Sequence, residues 1–437
     1  MDYAAQLKLK LQQKSAKVCV VGLGYVGLPM AQLAAESGFH VTGIDINAAR
    51  VEKINAGESY IIDVPTDELK PLVEKGLIVA TTDQSILAEM DVVMITVPTP
   101  LSKTGDPDLG DVIAALDGIK PHLHPGMLIS LESTTYPGTT VDLFQPAVRE
   151  AGFTEGVEVF VSFSPERVDP GNAVYGTKNT PKVVGGLTPA CSDVAKAYYG
   201  AVVENVIPMK SATAAEMVKI YENTFRAINI GLVNELAIIC NLLELDVWEI
   251  IEAASTKPFG FMPFYPGPGL GGHCIPIDPG YLAWRMRSLK YKTRFIELAT
   301  EVNSKMPEWV VTRVMEMLNE VGKAIRQSNI LILGVAYKND IDDLRESPAI
   351  DVFELLQRRG ANVTFHDPYC PTMKVDHGTA ESVDLTAEML QKQDLVLITT
   401  GHKQLVDYSL VLNEASLVFD TRNITRGVEG KAKVVYL

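Results

Sequence analysis

Residues 16–46 read AKVCVVGLGYVGLPMAQLAAESGFHVTGIDI. Val18–Val21 is a short apolar run of the kind that forms a strand buried on both faces. Gly22-x-Gly24-x-x-Gly27 follows at once. Met30–Ser37 then has helical composition, and Gly38 stops it. A second strand, His40–Ile44, ends at Asp45. A lone glycine triplet is weak evidence. Strand, glycine turn, helix, strand and acid in this order is the signature of a dinucleotide-binding unit. The first glycine permits the tight turn. The second lets a pyrophosphate approach the backbone, and the third lets helix and strand pack closely. The helix N-terminus offers N–H groups and partial positive charge to the phosphates. Tyr25 and Val26 lie inside the same turn. Asp45 would accept hydrogen bonds from the adenine ribose and repel a 2′-phosphate, which favours NAD over NADP. Arg50, a cation five residues on, weakens that exclusion.

Outward from this unit the α/β rhythm continues, with strands read at Leu77–Ala80, Val92–Val97, Met127–Leu131 and Val159–Phe163. Their ends are polar: Pro98-Thr99-Pro100, Glu132-Ser133-Thr134 and Ser164-Pro165-Glu166-Arg167. Ligands of open α/β sheets sit at these carboxyl ends. Thr99, Thr134 and Glu166 are therefore expected to converge on one crevice, although each alone could be a satisfied loop residue.

A second copy of the pattern follows near the end of the chain. Asn329–Gly334 reads as a buried strand entering a glycine. A helix at roughly Pro348–Arg359 and a strand at Asn362–His366 come next, ending at Asp367. QDLVLITTGH (393–402) echoes MDVVMITVPT (90–99), and ASLVFDTRN (415–423) loosely echoes GMLISLEST (126–134). The turn Gly334-Val335-Ala336-Tyr337-Lys338 lacks the three-glycine fingerprint, which speaks against a second dinucleotide. Lys338 and Arg345 in the polar loop YKNDIDDLRESP could still bind phosphate. Between the two halves, Ala212–Leu245 is one periodic apolar pattern without proline. It predicts a helix about 50 Å long at 1.5 Å per residue. Lys219 and Asn223, four apart, share a face of it. The fold class read from the residues is α/β, with two doubly wound Rossmann-like domains joined by a long central helix.

The stretch PGPGLGGHCIPIDPG (266–280) holds Cys274 among glycines and prolines, four residues ahead of Asp278. Glycine lets a backbone approach a neighbour and proline stiffens it. Cys274 reads either as a presented thiol or as a small apolar filler near a turn.

Composition narrows the function classes. The formal net charge of −15 argues against nucleic acid or an anionic membrane as partner. Five scattered cysteines without C-x-x-C give no disulfide framework and no metal site, and they fit a reducing cytoplasmic setting. The N-terminal MDYAAQLKLKLQQKSAK is polar, unlike a signal peptide. No run of about 18 apolar residues appears, so no membrane span is expected.

Taken together, GLGYVGLPMA, VPTP, EST, SPER, EMVKIYENTFRAINIGLVNE, GPGLGGHCIPIDP and YKNDIDDLRESP resemble the UDP-glucose/GDP-mannose dehydrogenases, over nearly the whole chain. These enzymes oxidise C6 of a nucleotide sugar to a carboxylate. The form STKPFGFMPFYPGPGLGGHCIPIDP looks most like bacterial UDP-N-acetylglucosamine 6-dehydrogenases of surface-polysaccharide (O-antigen or capsule) pathways. The resemblance implies that Cys274 is the nucleophile, forming a thiohemiacetal and then a thioester. It implies that Lys219 and Asn223 stabilise the C6 oxyanion and that Asp278 serves the proton relay. Glu166 and Thr134 would hold or activate the hydrolytic water. NAD would be served by Gly22, Gly24, Tyr25, Val26, Gly27, Asp45, Arg50, Thr99, Thr134 and Arg345. The UDP-sugar would be served by Glu166, Arg167, Lys219, Asn223, Tyr265, Gly267, Gly269, Gly272 and Lys338. The implied division is an NAD-binding domain at 1–205, a central helical and dimerising domain with the cysteine loop at 206–320, and a UDP-sugar domain at 321–437. A homodimer or higher homo-oligomer is expected.

Two departures stand out. His273 replaces the small residue that UDP-glucose enzymes often show before the cysteine, and it invites a base assignment. No arginine occurs between Thr256 and Asp278, while Phe259, Phe261, Phe264 and Tyr265 crowd the region. The surplus of aromatic residues suits a 2-acetamido sugar, with UDP-N-acetylmannosamine and UDP-glucose as rivals. A non-catalytic nucleotide-sugar or NAD sensor would have no need of Cys274, Lys219 and Asp278 together. A cysteine-dependent aldehyde dehydrogenase would not need the second nucleotide-binding half.

Overall fold

The computed structural model describes residues 1–61, 63–102, 106–167, 174–272 and 274–437. The chain divides into two compact units. The first is Met1–Glu222 with Gly280–Lys290, and the second is Asn223–Pro279 with Tyr291–Leu437.

The first unit is built on an eight-stranded sheet of β1 (Lys17–Val21), β2 (His40–Ile44), β3 (Ile78–Thr81), β4 (Val92–Ile95), β5 (Leu128–Leu131), β6 (Phe160–Phe163), β7 (Lys182–Gly186) and β8 (Val206–Pro208). The spatial order is β3-β2-β1-β4-β5-β6-β7-β8. The order reverses between β2 and β4 on either side of β1, which creates the switch point where ligands of such sheets bind. The strands are apolar on both faces because each face carries its own core. Val18, Val20 and Met94 point into one, Cys19, Val93 and Ile95 into the other. All adjacent pairs are parallel except β6 and β7, which are antiparallel. Neither β7 nor β8 was read from the sequence.

The helix after the glycine turn spans Gly27–Glu36, not Met30–Ser37. Gly27 and Pro29 fall in its first turn, where proline costs little because the early N–H groups have no helical partner. The long helix is observed at Ala212–Leu242. It ends three residues early because Glu244 adopts a left-handed φ of 55°. By length and hydropathy alone this helix could cross a membrane, which the sequence did not lead us to expect. Several of its polar side chains are engaged within the protein. Glu216 accepts from Gly138 N (2.5 Å), Thr140 N (2.9 Å) and Thr140 Oγ1 (2.5 Å), and burial pushes its pKa up. Further along, Asn234 is buried between Asn303 and Gly267.

The second unit holds a five-stranded parallel sheet. Its strands are β9 (Asn329–Leu333), β10 (Asn362–His366), β13 (Leu395–Ile398), β14 (Leu417–Asp420) and β15 (Lys433–Tyr436), in the order β10-β9-β13-β14-β15. β11 (Thr372–Val375) and β12 (Gly378–Glu381) form a separate hairpin. The internal repeat extends to single hydrogen bonds. Thr96 Oγ1 donates to Gly22 O at 2.6 Å, and Thr399 Oγ1 donates to Gly334 O at 2.5 Å. Leu23 N donates to Asp45, and Val335 N donates to Asp367.

Candidate active site

In the first unit the glycine turn follows β1. Gly22 has φ +91°, a conformation that favours glycine. A β-carbon on Gly27 would overlap the carbonyl oxygen of Gly22 and meet Thr96 Oγ1 at 2.6 Å, so this position admits no side chain. Gly24 differs: nothing lies within 4 Å of where its β-carbon would be. No protein atom explains the glycine there, and the open space suits a ligand pressed against the backbone. Tyr25, half exposed, borders the turn.

Asp45 ends β2 and is buried. Its Oδ2 accepts Leu23 N at 2.9 Å, its Oδ1 accepts Asn47 N at 2.8 Å, and Arg50 stands 3.5 Å from it. The acid thus braces the turn as well as facing the cofactor side. Tyr60, which sequence reasoning missed, donates to Leu23 O at 2.6 Å and lies under the Arg50 guanidinium. Burial, with Asp45 nearby, pushes its phenol up to about 12. This turn and this acid fit the adenosine-diphosphate half of NAD.

Thr99, Thr134 and Glu166 lie just past the carboxyl ends of the neighbouring strands β4, β5 and β6. Thr99 is held through its carbonyl, which accepts from Tyr281 Oη at 3.0 Å. Arg167 is already committed: its fork spans Glu222 at 2.6 and 3.3 Å and Pro181 O at 2.6 Å. Lys219, half buried, sits one turn ahead of the unit's end on the long helix. Lys182, at the start of β7, went unread although it reaches Glu132 and Glu166. Its signal was present: a lysine opening the apolar run Lys182–Gly186, a stretch that a solvated face would not contain.

The second unit gathers Asn223, Tyr265, Gly267, Gly269, Gly272, Cys274, Asp278, Lys338 and Arg345. Of the five cysteines, four are buried and Cys274 alone is partly exposed. Its carbonyl accepts from Ile277 N at 3.1 Å and Asp278 N at 2.8 Å, a turn that leads into the Asp278–Ser288 helix. Asp278, 3% exposed, accepts a 2.5 Å hydrogen bond from Asn223 Nδ2.

The glycines of this loop admit the protein's own groups. A β-carbon on Gly269 would lie 2.7 Å from Pro348 Cβ, and one on Gly272 would lie 2.9 Å from the Tyr337 ring. Gly267 N donates to the buried Asn234 Oδ1 at 3.0 Å, and the Tyr265 ring stacks on Trp248. Gly272 N donates to Arg345 O at 3.1 Å, so the backbone of Arg345 braces the cysteine loop. The Arg345 side chain is forked onto Asp343 at 2.6–3.0 Å. Lys338 lies in the same segment, half buried. His273 lies outside the described residues.

In the repeat, the acid equivalent to Asp45 is taken up internally. Asp367 Oδ2 accepts Val335 N (2.7 Å), Ala336 N (3.0 Å) and His402 Nε2 (3.0 Å). Asp340 N donates to His402 Nδ1, so the imidazole proton is on Nε2. Burial works against the Asp367 charge, but His402 and the two N–H groups outweigh it and lower its pKa. This turn is closed on itself, unlike the open one at Gly24.

Three consecutive sequence models of the UDP-glucose/GDP-mannose dehydrogenase family match the chain. They are its NAD binding domain at 16–203, its central domain at 213–305 and its UDP binding domain at 331–427. A UDP-N-acetyl-D-mannosamine dehydrogenase of Methanococcus maripaludis is 35% identical over 424 residues, 93% of each chain. An NDP-N-acetyl-D-galactosaminuronic acid dehydrogenase of Ralstonia nicotianae is 35% identical over 418 residues, covering 93% of this chain and 96% of its own. The solved structure of the UDP-D-ManNAc dehydrogenase from Pyrococcus horikoshii superposes with a TM-score of 0.88 at 32% identity, over 96% of this chain and 98% of its own. The chain belongs to the UDP-glucose/GDP-mannose dehydrogenase family and is an NAD-dependent nucleotide-sugar dehydrogenase with a UDP-binding C-terminal domain.

Proposed function

We propose that the protein oxidises C6 of UDP-N-acetyl-D-glucosamine to the carboxylate, in two two-electron steps at one carbon, for surface-polysaccharide biosynthesis. The observation that carries this reading is the state of Cys274: it is the one cysteine left partly exposed, at the foot of a helix whose first residue, Asp278, is fixed by Asn223.

Two oxidations of one carbon call for a covalent anchor, since a free aldehyde would otherwise diffuse away. Bound NAD supplies the hydride acceptor for each oxidation. The Cys274 thiolate adds to the aldehyde carbon to give a thiohemiacetal, which becomes a thioester after the second oxidation. Lys219 and Asn223 donate to the C6 oxygen as negative charge builds on it. Asp278 holds the proton relay. Glu166, with Thr134, activates the water that releases the acid. NAD is assigned to residues 1–205, the cysteine loop to 206–320 and the UDP moiety to 321–437, with Lys338 on the phosphates. We place the reaction in the cytoplasm, where the thiol stays reduced.

UDP-N-acetyl-D-mannosamine is the second reading, favoured by the names of the relatives. Assays of NADH formed per sugar with UDP-N-acetylglucosamine, UDP-N-acetylmannosamine and UDP-glucose decide it. Two NADH per UDP-N-acetylglucosamine is expected. A ratio near one, or turnover of UDP-glucose alone, refutes the proposal. A homodimer fits the exposed Leu232, Ile239, Leu242 and Leu243 on and just after the long helix. Light scattering on the purified protein tests it, and a monomer at micromolar concentration would remove this part.

A further inference from the structure

Lys182 opens a strand that runs against its neighbour. In a parallel sheet a strand begins at the edge opposite the ligand site. Because β7 is antiparallel to β6, it begins instead at the carboxyl edge. The register pairs Phe163 with Gly185, and three residues further on it sets Lys182 beside Glu166.

The ammonium is 2.7 Å from Glu132 Oε2 and 3.5 Å from Glu166 Oε2. The Lys182 side chain is 5% exposed, that of Glu132 0%. Glu132 Oε1 accepts Tyr199 Oη at 2.7 Å, Tyr199 meets Ser130 Oγ at 2.8 Å, and Ser130 accepts from Ser162 Oγ at 3.0 Å. The Tyr199 ring lies 5.5 Å from the ammonium. Burial works against a charge on Lys182, but the two carboxylates outweigh it and raise its pKa.

One ammonium therefore serves two carboxylates, and it serves them unequally. Glu132 has the shorter contact and is fully buried, and burial pushes its carboxyl pKa up although Lys182 pulls it down. Glu166 has the longer contact and some exposure, and its Oε1 accepts Arg167 N at 2.7 Å. These contacts hold Glu166 in place, as a general base requires.

We infer that Lys182 is a positioning residue that aims the Glu166 carboxylate, with Glu132 as its buried partner. The inference rests on the reading in which Glu166 activates the hydrolytic water. In that step Glu166 takes a proton from water as the water oxygen bonds to the thioester carbon. The carbon–sulfur bond breaks, the sulfur leaves as thiolate, and the carboxylic acid is released. Among the described residues, the charged and titratable groups around Glu166 include Lys182 from β7, Glu132 from the end of β5 and Tyr199 behind it. Arg167 is next in the chain, already paired with Glu222 of the long helix.

The test uses the whole enzyme with NAD and whichever of UDP-N-acetylglucosamine and UDP-N-acetylmannosamine it turns over. The readouts are kcat and KM for acid release and the intact protein mass during turnover. Lys182→Met alone strands a buried carboxylate and can fail to fold, so Lys182→Met/Glu132→Gln is the working variant. In it a covalent sugar adduct is expected to accumulate on Cys274, with kcat and KM falling together as hydrolysis becomes rate-limiting, while Lys182→Arg keeps hydrolysis. A double variant with no adduct, beside a Glu166→Gln protein that does accumulate adduct, overturns the role of Lys182 alone. A Glu166→Gln protein that hydrolyses normally overturns the reading of Glu166 and this inference with it.

Discussion

The carbonyl oxygen of Gly22 occupies the space in which a side chain on Gly27 would begin. Helix and strand approach so closely there that the third glycine is a packing requirement. Gly24, two residues after Gly22, is under no such pressure from the protein. The two glycines can therefore be separated by experiment. Gly27→Ala is expected to cost about 2 kcal/mol of stability, seen as a lower melting temperature without ligand. Gly24→Ala should melt like the wild type and bind NAD about tenfold more weakly, a loss of about 1.4 kcal/mol by calorimetry. Wild-type NAD affinity in Gly24→Ala would take the pyrophosphate away from this turn.

Cys274→Ser should bind UDP-sugar within a few-fold of wild type and produce no carboxylate, because a serine hydroxyl stays un-ionised at neutral pH and is a poor nucleophile, and its alkoxide is a poor leaving group. Intact mass should show no adduct. Acid production near the wild-type rate by this variant excludes covalent catalysis through the sulfur.

Asn223→Ala removes the amide that bonds the buried Asp278 carboxylate. Losing a buried hydrogen bond costs about 1 kcal/mol, so thermal stability should fall. The catalytic reading adds a second effect: kcat drops while KM changes little. A stability loss with unchanged kcat would leave Asn223 as a structural residue only.

Asp367 ties the second unit to pH. Its folded pKa is lowered, so its contribution to stability is complete above the ordinary carboxylate range. That contribution is lost as pH falls from about 4 through the lower folded value. Asp367→Asn should lower the melting temperature at pH 7, through loss of charge-assisted bonds to Val335, Ala336 and His402. It should also flatten the decline of stability in acid. Identical acid slopes for wild type and variant would show that this network does not govern acid unfolding of the unit.

Much of the architecture was readable because it is local. β2 and β10 have the bounds read from the sequence, since each is a five-residue run closed by an acid. The echo of MDVVMITVPT in QDLVLITTGH anticipated matched hydrogen bonds at Thr96 and Thr399. The helix read at Met30–Ser37 begins three residues earlier, at Gly27, because glycine and proline in a first turn break nothing. The resemblance gives Arg167 to the UDP-sugar; what the sequence did not show is that Glu222 and the Pro181 carbonyl hold its fork. The glycines beside Cys274 were read as clearance for ligands, yet Tyr337 and Pro348 fill much of that clearance.

Periodicity, turn chemistry and the order of short motifs were enough to establish two nucleotide-binding halves, the intervening helix and a cysteine worth examining. All of these depend on residues a few positions apart. Strand direction and register do not, because they are set by the free energy of the whole sheet. The reversal of β7 brings Lys182 to Glu132, 50 positions away, and to the carboxyl edge where Glu166 lies. No spacing rule along the chain could have paired those three charges.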